Sequence, residues 1–218
     1  MSDLPTFSAA ADELVAIGRR FYARDWVLGT SGNFSAVTSS RPLRLAITAS
    51  TAHKGKLAAS QILEIDEKGR VTGGQTGRPS AETPLHVEIV KRRGAGAVLH
   101  THSVWSTILS DRYAKDHGLA IHGYEMVKGL DQVTTHEHRE WIPIVENDQD
   151  MGRLGRHVRG LLRKFPVAHA FLIRRHGLYT WGHTLADAER HVEILEFLFE
   201  TIGMNTTGDL YGANSNPG

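Results

Sequence analysis

Two histidines two residues apart, His100 and His102, stand at the end of the apolar run Ala97-Val-Leu. In an extended strand, residues i and i+2 point to the same face, so both imidazoles can converge on one point. A divalent metal such as zinc takes neutral nitrogens in that arrangement, with a third protein ligand and an open position where the site is catalytic. His176 is the best third ligand, because Phe171-Leu-Ile-Arg-Arg-His-Gly177 repeats the pattern of an apolar strand ending in a histidine. Gly177 is read as the residue at which the backbone turns away. The plainer reading is coincidence in a chain with 13 histidines, and spacing alone leaves both open.

Two further stretches carry groups that suit an anion. Leu28-Gly-Thr-Ser-Gly-Asn-Phe-Ser35 is a small-residue loop entering a strand. Gly29 and Gly32 permit close backbone approach, while Thr30, Ser31 and Asn33 offer donors without bulk, as a phosphate cradle requires. An ordinary tight turn would look the same. Leu43-Arg-Leu-Ala-Ile-Thr-Ala-Ser-Thr51 alternates as a strand and ends in hydroxyls. Thr48 and Ser50 share one face there and Lys54 follows, which suits either an anion site or a solvated strand end. Glu82 lies just before a helix opened by Thr83-Pro84, so its carboxylate is fixed by a rigid element.

The remaining elements must hold these groups in place. Ser8 is read as the cap of a helix over 9–22, whose Leu14, Ile17 and Phe21 face a core. Residues 62–72 read as a hairpin with glycine in the turn, 73–79 as loop, and 83–94 as a helix capped by Thr83. After His102, Ser103 caps a short helix to about 109. Residues 113–131 read as loop and irregular helix, and 141–145 as a strand whose Pro143 suggests an edge. An amphipathic helix over 150–165, strands over 168–174 and 178–181, and a helix over 185–202 capped by Thr184 complete the order. From 203 the tail, rich in Gly, Asn and Ser, is expected to fray. His191, inside the last helix, is read as structural. The fold class expected is α/β, with a mostly antiparallel sheet flanked by helices, in a single domain spanning residues 1–218 with its core at about 8–203.

Composition bounds the function. Charged residues make up 22% of the chain and the formal net charge is +1, which argues against nucleic-acid or polybasic membrane binding. No run of about 18 apolar residues is present, and the N-terminal residues show neither a basic nor an apolar signal region. With no cysteine, disulfide and thiolate chemistry are excluded. A cytoplasmic enzyme fits.

Gly29-Thr-Ser-Gly-Asn33, Thr48-Ala-Ser50, Pro79-Ser-Ala-Glu82, His100-Thr-His102 and His176-Gly-Leu occur in one order. With these motifs the chain resembles the class II, zinc-dependent aldolase and adducin family from about residue 14 to 199. That family includes fuculose- and rhamnulose-phosphate aldolases, ribulose-phosphate 4-epimerase and the adducin head domain. Ala52-His-Lys-Gly-Lys56, Tyr124-Glu-Met-Val-Lys-Gly129 and Arg174-Arg-His-Gly-Leu-Tyr-Thr-Trp-Gly182 are most similar to the members that dehydrate 5-methylthioribulose 1-phosphate in methionine salvage. The resemblance implies zinc on His100, His102 and His176, one ion per subunit. It also implies phosphate recognition by Ser31, Gly32, Asn33, Thr48, Ser50 and Lys54, and a homotetramer with sites near subunit interfaces. Two glutamates compete for the acid/base role. Glu82 matches the aldolase residue, and Glu125 matches that of the animal dehydratases and is favoured for dehydration, with Glu82 metal-proximal or orienting. Where many aldolases have two serines before the glutamate, this chain has Ser80-Ala81, which removes one hydroxyl from their phosphate pocket. An aldolase or epimerase of another sugar phosphate, and a non-catalytic adducin-like interaction domain, are the alternatives.

Overall fold

The computed structural model describes residues 4–212, with side chains through 205. Helix α1 (Phe7–Ala23) precedes strands β1 (Asn33–Ser40), β2 (Leu43–Thr48) and β3 (Ile62–Asp66). Next come α2 (Thr83–Arg93), β4 (Ala97–Thr101), α3 (Val104–Arg112), β5 (Gly118–Ile121), β6 (Glu140–Val145) and α4 (Met151–Lys164). Strands β7 (Ala170–Ile173) and β8 (Gly177–Gly182) lead into α5 (Leu185–Gly212). The strands form one sheet in the order β3-β2-β1-β4-β8-β7-β6-β5, antiparallel at every step except β6–β7. This is the α/β class expected, with a mostly antiparallel sheet between helices. Among the described residues no helix is long and apolar enough to cross a membrane.

Alternation along the strands divides the core between two faces. Val37, Ile47, Val98, Phe171 and Tyr179 pack with Leu85 and Ile89 of α2 and with Leu154, Val158 and Leu162 of α4. On the other face Phe34, Ala36 and Leu99 meet Leu14, Ile17 and Phe21 of α1 and Val192 of α5. Leu172 and Leu178 meet Leu109 of α3 and Leu195, Leu198 and Phe199 of α5. Each fully buried side chain of this kind stabilises the fold by roughly 1.5–3 kcal/mol, which makes the central strands a rigid mount for whatever their ends carry.

Several expectations are corrected. Thr6, not Ser8, caps α1, its Oγ1 accepting from the Ala9 N–H at 3.3 Å. Glu82, not Thr83, occupies the N-cap place of α2 and makes no capping bond, so its carboxylate is left for other partners. Residues 118–121 form β5, which takes the edge place assigned to β6. Pro143 is accommodated inside the sheet because β6 pairs with β7 only from Ile144 onward, past the residue that lacks an N–H. Helix α5 runs through Gly203 to Gly212. Gly203 is not a stop but a close approach, since a Cβ there would lie 2.1 Å from the Trp105 ring. Of the tail expected to fray, 213–218 lie outside the described residues.

Candidate active site

His100 lies one residue from the end of β4, cross-strand from Asn33 of β1 and Tyr179 of β8, and its ring stacks on Tyr179 at 3.9 Å. His102 follows the strand, and its N–H donates to Trp26 O at 2.8 Å, which fixes the direction in which its side chain leaves. His176 sits in the turn between β7 and β8. The left-handed residue of that turn is Arg175, with φ of 53°, and not Gly177. Glycine is needed at 177 for a different reason: a Cβ there would lie 2.0 Å from Thr101 O of β4.

The three Nε2 atoms converge at 2.8, 3.0 and 3.3 Å from one another. His100 Nδ1 donates to Leu178 O at 2.8 Å, so in the neutral ring Nε2 keeps its lone pair. Burial pushes all three imidazoles below their ordinary value, and for His100 and His102 the neighbouring rings add to the effect. Three neutral, inward-pointing nitrogens are the donor set of a divalent metal. Among the described residues they form the one such group of three, so the donors fit a divalent metal ion. Glu82 joins them, with Oε1 at 3.3 Å from His176 Nε2 and 3.6 Å from His100 Nε2.

Beside this centre is a cavity of about 240 Å³, lined by Ser31, Gly32, Asn33, Ser50, Lys54, Glu82 and His102. Gly32, at φ 71°, packs so tightly that a Cβ would lie 2.6 Å from His100 O, which draws the loop against the histidine strand. Lys54 is 1% exposed, and its Nζ donates to Ala52 O at 2.8 Å and Thr30 O at 3.3 Å. Burial pulls its pKa down to about 8, with the Glu82 charge pulling the other way. An anion in the cavity would favour the charged form further. Thr30, a donor expected of the loop, and Ser80 of the Pro79–Glu82 motif also line the cavity, with Thr51 beside them. Thr48 does not line it: its buried Oγ1 accepts from the Phe34 N–H at 3.2 Å and ties β2 to β1.

Glu125 stands apart. It begins a 3-10 turn over Glu125–Gly129, its side chain is 71% exposed, and it pairs with Lys128 at 2.5 Å and His136 at 3.7 Å. Within one chain the carboxylate beside the histidines is Glu82. His86 and Ser35 also went unnoticed, although each sits at the helical or strand spacing that puts it on the same face as Glu82 or Asn33.

Comparison with known proteins agrees with this geometry. Residues 12–202 match the class II aldolase and adducin N-terminal domain family. A methylthioribulose-1-phosphate dehydratase from Sorangium cellulosum is 41% identical over 196 residues, 89% of this chain and 92% of that protein. One from Methylococcus capsulatus is 44% identical over 195 residues, 89% of this chain and 93% of that protein. The solved L-fuculose-1-phosphate aldolase of Thermus thermophilus has the same fold, with a TM-score of 0.72 at 22% identity over 95% of this chain and 100% of that one. Ordered motifs, three converging histidines and this extent of identity place the chain in the class II aldolase and adducin family, beside its methylthioribulose-1-phosphate dehydratases.

Proposed function

We propose that this chain is a hydro-lyase of methionine salvage. It dehydrates 5-methylthioribulose 1-phosphate to 2,3-diketo-5-methylthiopentyl 1-phosphate, in the cytoplasm, as a zinc-dependent homotetramer with one ion per subunit. The observation that carries the reading is the meeting of three neutral imidazoles and Glu82 beside a cavity furnished for an anion. The 41–44% identity to dehydratases of that name supports the substrate. His100, His102 and His176 would hold the zinc, which when bound would supply a Lewis acid for the carbonyl next to the carbon that loses its proton.

The chain's own residues divide the rest. Lys54, Ser31, Ser50 and the Gly32 backbone hold the phosphate and so place the carbonyl end of the carbon chain by the histidines, a positioning effect. Glu82 Oε1 faces that end and takes the C3 proton, help typically worth 10²–10⁴-fold. Glu125 of a neighbouring copy delivers a proton to the departing C4 hydroxyl so that water leaves. Glu82 passes the C3 proton to solvent and Glu125 is reprotonated from it, which resets both carboxylates. Support for assembly on this side comes from Val104, Ile108, Met126, Phe197 and Met204, exposed by 37–61% on α3, α5 and the turn that bears Glu125, apolar surface of the kind copies cover.

The test is an NMR time course of zinc-loaded protein with 5-methylthioribulose 1-phosphate. The diketone or its hydrate is expected. A retro-aldol fragment would overturn dehydration in favour of an aldolase, the reading to which the fuculose-phosphate aldolase fold lends weight. In D₂O, Glu125→Gln should still exchange the C3 proton without eliminating, whereas Glu82→Gln should do neither. Mixed tetramers of Glu125→Gln and His102→Ala chains should regain turnover if Glu125 acts across the interface; no recovery places it elsewhere.

A further inference from the structure

Behind Glu82 runs a buried line of polar side chains that the chemistry above leaves without a role. Asn33 Nδ2 donates to Glu82 Oε2 at 2.6 Å and reaches Ser80 Oγ at 3.4 Å. Asn33 Oδ1 meets His86 Nε2, and Ser35 Oγ lies 2.8 Å from His86 Nδ1. His86 and Ser35 are fully buried and Asn33 is 5% exposed.

Donor inventory fixes the direction of every bond. An amide oxygen only accepts, so His86 Nε2 carries the proton. Burial lowers the His86 pKa to about 4, the ring is neutral, and its Nδ1 is therefore an acceptor for the Ser35 hydroxyl. The order is Ser35 to His86 to Asn33 to Glu82. An amide turned the other way would set its oxygen against the Glu82 carboxylate oxygen, two acceptors with no proton between them. The two Glu82 oxygens thus have separate duties. Oε2 is anchored, and Oε1 is aimed at His176 and His100.

We propose that His86 is a positioning residue: through Asn33 it fixes the orientation of the Glu82 carboxylate, and Asn33 serves this line rather than the substrate phosphate. The inference rests on the reading of Glu82 as the proton acceptor. His86→Leu, which keeps an apolar filling and loses the N–H, should lower kcat about 10–100-fold, as loss of an orienting partner does. KM, inhibition by inorganic phosphate and bound zinc should stay within about threefold. His86→Gln, whose amide nitrogen reaches the place of Nε2, should recover kcat to within about threefold of wild type. Should His86→Leu not fold, Ser35→Ala loosens the same line one step back and should lower kcat several-fold in the same pattern. Equal loss in His86→Leu and His86→Gln, or a rise in KM that matches the fall in kcat, would overturn the proposal in favour of packing or phosphate binding. A second readout needs no substrate. The Asn33 side-chain amide should show two widely separated proton shifts in the ¹H–¹⁵N spectrum, and His86→Leu should bring them together. An intact amide signature in a protein that dehydrates nothing would break the functional reading alone; an amide unaffected by His86→Leu would break the relay alone.

Discussion

The molecule holds two clusters of histidines, and they obey opposite rules. At the end of β4, His100, His102 and His176 turn their Nε2 atoms toward each other within 3.3 Å. Around Asp131 and Glu140, His138, His169 and His191 of α5 turn theirs toward acceptors or donors. Glu140 Oε2 accepts from His138 Nε2 at 2.8 Å and His169 Nδ1 at 3.0 Å, and His169 Nε2 donates to Asp131 O at 2.8 Å. Both His169 nitrogens therefore donate, and the ring is an imidazolium. Burial opposes that charge, but the bond to Glu140 and its field outweigh it and lift the His169 pKa. His191 is neutral, donating from Nδ1 to Trp181 O at 2.7 Å and accepting the Asp131 N–H at 3.1 Å. Burial thus yields a ligand set where lone pairs lack donors, and a structural network where both nitrogens of His169 and of His191 are matched.

The sharpest way to break this comparison is to remove one nitrogen from the first cluster. His176→Ala should lose the metal and lower turnover on the order of 10³-fold, since a Lewis acid is worth several kcal/mol at the transition state. One equivalent of zinc retained by His176→Ala, measured by elemental analysis, would show that the convergence is not a metal site. The counterpart in the second cluster is Glu140→Gln. Glu140 is 2% exposed, and removing its charge leaves the buried His169 cation unpaired, at about 3–5 kcal/mol in urea denaturation. Zinc content should not change. The sign with pH is set by His169: a raised folded pKa contributes stability fully below the ordinary imidazole value, lost as pH rises through the folded one. The gap between wild type and Glu140→Gln should therefore narrow above neutrality; a gap that widens would assign the charge to another group.

The residues legible in the sequence were those governed by local spacing. His100 and His102 share a strand face, and the apolar alternation of the central strands set the sheet and its layers. What stayed hidden depended on partners distant in the chain. Pro143 suggested an edge because the four-residue strand β5 is too short to announce itself, yet it covers that edge. Gly177 marked a turn that Arg175 makes, because Thr101 on another strand is what demands the glycine. Thr48 carried a hydroxyl toward the site by parity, but the Phe34 N–H claims it. Glu82 and Glu125 cannot be ranked by motif alone, since only the fold decides which carboxylate a single chain brings to the histidines.

Two buried carboxyls extend the same contrast. Glu140 is held below its ordinary value, its burial outweighed by His169 and His138. Glu196 of α5, 2% exposed, meets no cation among the described residues. It accepts from Thr101 Oγ1 at 2.7 Å, on the far side of the strand from His100 and His102, and burial pushes its pKa up to about 7. The unfolded chain releases this proton near the ordinary 4.5; the folded chain keeps it to about 7. Between those values the unfolded state binds fewer protons, so stability falls as pH rises, by roughly 3 kcal/mol across the window, and then levels off. Glu196→Gln has no proton to release and keeps an acceptor for Thr101. Urea denaturation at pH 5 and pH 7.5 should show the wild type losing about 2 kcal/mol relative to Glu196→Gln, the part of the loss that falls between those two values. Parallel curves would mean that Glu196 is ionised in the folded protein, matched by a donor as Glu140 is, and the distinction between a paired and an unpaired buried carboxyl would collapse.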